Sequence, residues 1–137
     1  MKTLCIDFDK TIHDFESGWL GIHVIPDDPV RFLDRPEYNS LDWLRALIAY
    51  EHWSKPGIRA FQVCIYSSRS RSEAGIAAMK HWFEDHGLEE GFIEQLHFPM
   101  YKPAAFWTID DRCTTFKGTW IDPGDIYDFK PWGADDE

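Results

Sequence analysis

The sequence predicts an α/β fold, a three-layer sandwich around a central, mainly parallel sheet. Three features predict it. Short, almost wholly apolar runs at residues 3–6, 61–66 and 105–109 each end in polar residues, as strands buried on both faces of a parallel sheet do. Segments of helical periodicity separate these runs, the order of βαβ units with right-handed crossovers. A length of 137 residues suits one compact core and not two.

The elements follow in order. Thr3-Leu4-Cys5-Ile6 is the first strand, ended by Asp7. Residues 13–39 hold Gly18, Gly21, Pro26, Pro29 and Pro36 among scattered aromatics, and read as a long loop or small hairpin. A loop of that length in a compact domain suits a flap over a site. Ser40 reads as the N-cap of a first helix carrying Trp43, Leu44, Leu47 and Ile48 on one stripe. The second strand, 61–66, is ended by Ser67-Ser68-Arg69. Ser70 or Ser72 opens a second helix with Ile76, Met79, Trp82 and Phe83 facing inward and Gly87 where it stops. A short third helix covers 89–95. The third strand, 105–109, ends in Asp110-Asp111. Residues 1–132 thus make one domain, and 133–137 form a small acidic tail expected to fray.

Composition narrows the classes. At 44% hydrophobic and 16% aromatic, with seven Trp and ten Phe, the chain is far from a disordered one. A formal net charge of −10 argues against a general binder of nucleic acid or anionic membrane, which needs a basic face. Lys10, Arg69, Arg71 and Lys102 could still make one local basic pocket. Cys5, Cys64 and Cys113 show neither disulfide nor zinc spacing. The start runs directly into a strand, unlike a signal peptide, and no apolar stretch approaches the ~20 residues a membrane helix needs. A reduced, cytoplasmic protein without membrane partners is the expectation.

The chemistry-bearing residues gather at the ends of the strands, where ligands of parallel sheets bind. In Asp7-Phe8-Asp9-Lys10-Thr11, two carboxylates two residues apart can face one cavity and invite a hard divalent cation; alone, they also read as a solvated turn. Ser67 can donate to a phosphate oxygen, or simply cap the following helix. Lys102 can neutralise clustered negative charge, or sit in solvent. Asp110-Asp111 repel each other unless a cation or donors offset them, Arg112 being one candidate donor.

In this chain order the four features resemble the pattern of the haloacid dehalogenase-like (HAD) superfamily: strand then D-x-D-x-T, strand then Ser/Thr, a Lys, strand then an acidic pair. The resemblance runs from residue 3 to about residue 116, with residues 13–60 matched only in length and helix content. It implies a Rossmann-like core whose middle strand is 3–6, a minimal cap at 13–39, and a Mg2+-dependent phosphatase. Asp7 would attack phosphorus in line and bind the metal through its other oxygen. Asp9 would protonate the leaving oxygen, then activate water, its backbone carbonyl touching the metal. Ser67 and Lys102 would hold the phosphoryl group. Asp111 would bind the metal directly with Asp110 behind it, and Thr11, Ser68 and Arg69 would meet the substrate. Lys10 is a departure, since the family most often has Gly there to relieve a tight turn.

A cap this small suits the phosphate of a large substrate or needs a partner subunit to close it. The expected partners are a small phosphorylated substrate or a phosphorylated nucleic-acid end, with a homo-oligomer as the second expectation. Ile109-Asp110-Asp111-Arg112 is similar to the matching segment in the phosphatase domains of polynucleotide kinase/phosphatases. His13, Trp19, His23, Arg69 and Arg71 are candidate substrate contacts, each of which also reads as loop packing or solvated surface. Among rivals, a dehalogenase has no need of Asp9, a mutase needs a larger cap, and a non-catalytic binding module has no need of the full set.

Overall fold

The computed structural model describes residues 1–133. It is an α/β fold. Strand β1 (Lys2–Ile6) is followed by α1 (Ser40–Ala49), β2 (Phe61–Ile65), a 3-10 turn (Ser68–Arg71), α2 (Glu73–Asp85), α3 (Glu90–Ile93), β3 (Leu96–His97), β4 (Trp107–Ile109) and α4 (Pro123–Tyr127). The four strands form one sheet in the order β3-β2-β1-β4, and every neighbouring pair is parallel. β1 therefore lies inside the sheet, as expected for the strand that carries Asp7.

Burial explains the inner strands. Leu4, Cys5 and Ile6 in β1, and Val63, Cys64 and Ile65 in β2, are consecutive buried residues, so both faces of each strand are covered. From α1, Leu41, Leu44 and Ile48 reach the core at a spacing of three and four. From α2, Met79, Trp82 and Phe83 join them, and Phe8 meets Trp82 and Phe83 edge to face at 5.2 and 5.7 Å between centroids. The helix ends where Gly87 takes a φ of +89°.

Four local expectations need correction. Asn39, not Ser40, caps α1: its side chain accepts from the amides of Leu41 and Asp42, and Asp42 answers the Asn39 amide in a capping box. The Ser40 hydroxyl instead donates to the Ile12 carbonyl. The third helix is one turn, Glu90–Ile93, shorter than residues 89–95. The strand expected over 105–109 shrinks to Trp107–Ile109 and is an edge strand with Trp107 and Ile109 exposed. Among the described residues, 112–130 are all exposed and α4 buries no side chain, so none of them covers it. β3 was not expected, two residues being too short to leave a pattern.

Residues 13–39 contain no helix or strand. They are tied down by bridges between His13 and Pro29 and between Arg31 and Asn39, and by the Trp82 indole donating to the Asp27 carbonyl at 2.7 Å. Of the tail expected over 133–137, residues 134–137 lie outside the described residues. Among the described residues, no helix is long and apolar enough to cross a membrane.

Candidate active site

The sheet register sets the site. Ile6 pairs with both Ile65 and Ile109, so Asp7, Tyr66 and Asp110 leave the sheet at one level. The ladder extends one step further, with the Asp7 amide donating to Ile109 O at 2.9 Å and the Tyr66 amide to Ile6 O at 3.1 Å. Asp7, Asp110 and Asp111 are thereby gathered, one carboxylate oxygen of each lying within 4.8 Å of the others. They line a cleft of about 470 Å3 together with Asp9, Lys10 and Ser68. Its other walls are aromatic and basic: Phe15, Trp19, Trp132 and Arg112.

Three carboxylates this close repel. Burial, then the charge of Asp110, then a hydrogen bond with Asp111 push the Asp7 carboxyl up to about 8. Asp111, whose side chain is 6% exposed, is also raised, by burial first and by Asp110, against the opposing influence of Asp7 and Arg112. The carboxyls of Asp7 and Asp111 are thus both held above the ordinary carboxylate range. A donor set of hard carboxylate oxygens that cannot all ionise together fits a hard divalent cation, which would offset the repulsion.

Asp9 faces the same cleft under different control. Its Oδ1 accepts from His13 Nε2 at 2.7 Å and from Arg69 Nε at 3.0 Å. Lys10 adopts the left-handed backbone, φ +64°, and its ammonium donates to Asp14 O at 2.9 Å. That conformation is the one Gly serves at this turn. The Thr11 hydroxyl is buried and, among the described residues, has no hydrogen-bond partner.

The remaining expected site residues divide. Ser68 and Trp19 line the cleft, and Trp19 is 51% exposed, with the Arg69 guanidinium 4.4 Å from its ring centre. Ser67 is buried behind it: its hydroxyl accepts from the Arg69 amide at 3.0 Å and donates to Met79 Sδ at 3.6 Å, the cap reading of this residue. Lys102 is exposed and lines an adjoining hollow with Trp107 and Cys113, which shares only Asp110 with the cleft. Arg69 and His13 are buried and grip Asp9, where the sequence pointed to substrate contact. His23 is exposed in a separate hollow against Ala77 and His81 of α2, and Arg71 is exposed outside the cleft.

Sequence reasoning missed Phe15, Trp132 and Asp27. Trp132 had no signal, since it follows the last strand by more than a full element. Asp27 sits 3.4 Å from His13 Nδ1 and holds Ser17 through its amide and hydroxyl at 2.9 and 2.8 Å. Its place inside a Pro-rich loop hid it. Searches against protein-family models, curated proteins and solved structures find no match to this chain.

Proposed function

We propose that the protein is a magnesium-dependent phosphatase with a Rossmann-like HAD core, hydrolysing a phosphomonoester through an aspartyl-phosphate on Asp7. The observation that carries this reading is the meeting of Asp7, Asp110 and Asp111 at the carboxyl ends of β1 and β4, with Asp9 held separately beside them. One residue set is arranged for charge compensation and the other carboxylate for proton transfer, the division of labour that phosphoryl transfer asks for.

Asp7, Asp110 and Asp111 would hold the cation, which when bound supplies charge neutralisation that keeps Asp7 ionised near neutral pH and withdraws negative charge from the phosphoryl group. The chain's own residues do the rest. An Asp7 carboxylate oxygen forms the new bond to phosphorus as the bond to the leaving oxygen breaks, and Asp9 gives that oxygen a proton. Asp9 then takes a proton from water, whose oxygen bonds phosphorus and releases inorganic phosphate and free Asp7. Ser68, Lys10 and Arg112 are the polar and basic groups lining the cleft that could contact the phosphoryl oxygens.

A nucleotide or a phosphorylated nucleic-acid end is the finer reading of the substrate. It rests on Trp19, half exposed on the cleft wall, whose indole offers a stacking surface to a base. The test is a screen of phosphorylated metabolites, nucleotides and 3′- or 5′-phosphorylated oligonucleotides, with magnesium and with chelator. Phosphate release that needs magnesium and disappears in Asp7→Asn is the expected result. Magnesium-independent release, or none from any ester, overturns the reading.

A further inference from the structure

We propose that His13 and Arg69 are positioning residues that clamp the carboxylate of Asp9, fixing one oxygen so that the other is presented to the reacting groups. The kinetic consequence rests on the phosphatase reading above; the clamp itself is structural.

Both donors converge on the same atom. His13 Nε2 lies 2.7 Å and Arg69 Nε 3.0 Å from Asp9 Oδ1, which leaves Oδ2 without either of them. Asp9 also lines the cleft that holds Asp7. A group that must first give a proton to a leaving oxygen and then take one from water needs a single oxygen kept in one place. A carboxylate free to rotate about its last bond would lose that placement; one tethered through Oδ1 keeps it.

Each donor is itself immobilised. The His13 ring is fully buried, 4.6 Å from the Phe8 ring centre and 5.8 Å from that of Trp82. Its Nδ1 lies 3.3 Å from the Phe15 amide and 3.4 Å from Asp27 Oδ2, while Nε2 faces the Asp9 carboxylate, which accepts from it. Arg69 is 1% exposed, its amide is capped by Ser67, its Nη1 donates to the Gly21 carbonyl, and its guanidinium lies against the Trp19 ring. Burying an arginine and a histidine is costly unless each is paired, and an apolar side chain would fill either site more cheaply if packing alone were needed. The rival role, a brace that merely pins the 13–25 segment, predicts an effect on stability and none on turnover by folded protein.

The experiment compares wild type, His13→Leu, His13→Gln and Arg69→Lys, each checked for folding by circular dichroism. His13→Leu is expected to lower kcat by about 10- to 100-fold with KM little changed. Acid-quenched samples should then contain more phosphorylated Asp7 by intact mass, because water activation is the second use of Asp9. His13→Gln restores an amide donor and should recover most of the loss. A folded His13→Leu with kcat within twofold of wild type overturns the clamp, as does a raised KM with unchanged kcat, which would make His13 a substrate contact. If His13→Leu does not fold, Arg69→Lys supplies the same readouts with the same deciding values. If wild type hydrolyses no ester, the phosphatase reading fails by itself, and crystal structures decide the clamp. An Asp9 carboxylate displaced in a folded variant supports it, and one unmoved overturns it.

Discussion

Lys10 shows how far single residues could be read. It stands where the resembled pattern places Gly, and the chain takes the left-handed conformation there with a lysine, φ +64°. A side chain in that region costs about 1 kcal/mol. Lys10→Ala and Lys10→Gly both remove the ammonium bond to Asp14, so their difference isolates the backbone strain. Lys10→Gly is expected to be the more stable of the two by about 1 kcal/mol in denaturant unfolding; equal stabilities would mean that the turn is unstrained. The carboxylates were legible because two acids after a buried strand have few places to go. The roles of His13 and Arg69 were not, since a loop histidine and a loop arginine look alike whether they meet substrate or Asp9. The proposed nucleophile is checked directly: on that reading Asp7→Asn should release no phosphate, while Asp9→Asn turns over slowly and accumulates phospho-Asp7. Near-normal turnover by Asp7→Asn would rule out the covalent route.

At the scale of elements, β1, β2, α1 and α2 were legible because each buries a contiguous run or stripe, and burial is what an apolar pattern records. β4 misled for the same reason. Its apolar residues match a buried strand, yet at the sheet edge, with none of the described residues covering them, Trp107 and Ile109 stay exposed. The junction between the 3-10 turn and α2 was invisible in the sequence. Gly75, in the first turn of α2, lies so close to the backbone of Arg69 that a Cβ there would stand 1.8 Å from the Arg69 carbonyl oxygen. Alanine is the better helix former by about 1 kcal/mol, so propensity alone predicts that Gly75→Ala stabilises. The clash with backbone, which cannot swing aside as a side chain can, predicts the reverse, a loss of about 1–3 kcal/mol. Thermal or urea unfolding gives the sign. A stabilised Gly75→Ala would show that the turn has room to move and does not hold Arg69 rigidly.

Over the whole molecule, the site was legible because an all-parallel sheet sends every strand's carboxyl end to one edge, and the acids lie at those ends. Lys102 was less so: it belongs to no strand end, and chain order does not say which side of Asp110 it falls on. The electrostatic cost of gathering the acids extends to global stability. The Asp7 carboxyl, ordinarily near 3.8, stands at about 8 in the folded, metal-free protein, with burial the largest cause. Between those values the unfolded chain has released its proton while the folded chain keeps it, so raising the pH favours unfolding. Asp111 is shifted in the same direction. In chelator, the contribution of Asp7 to stability should therefore fall as pH rises from about 4 to about 8 and level off above. Asp7→Asn removes the titrating group, so the Tm of wild type relative to this variant should decline across that window. On the proposed reading magnesium binds the ionised cluster, so the Tm it adds to wild type should be small at pH 5 and larger at pH 8. Thermal unfolding from pH 5 to 8.5, in chelator and in magnesium, measures both trends. A wild-type-to-variant gap that stays constant across the series would show that Asp7 is not the strained acid, and a magnesium effect independent of pH would separate the cation from the Asp7 cluster.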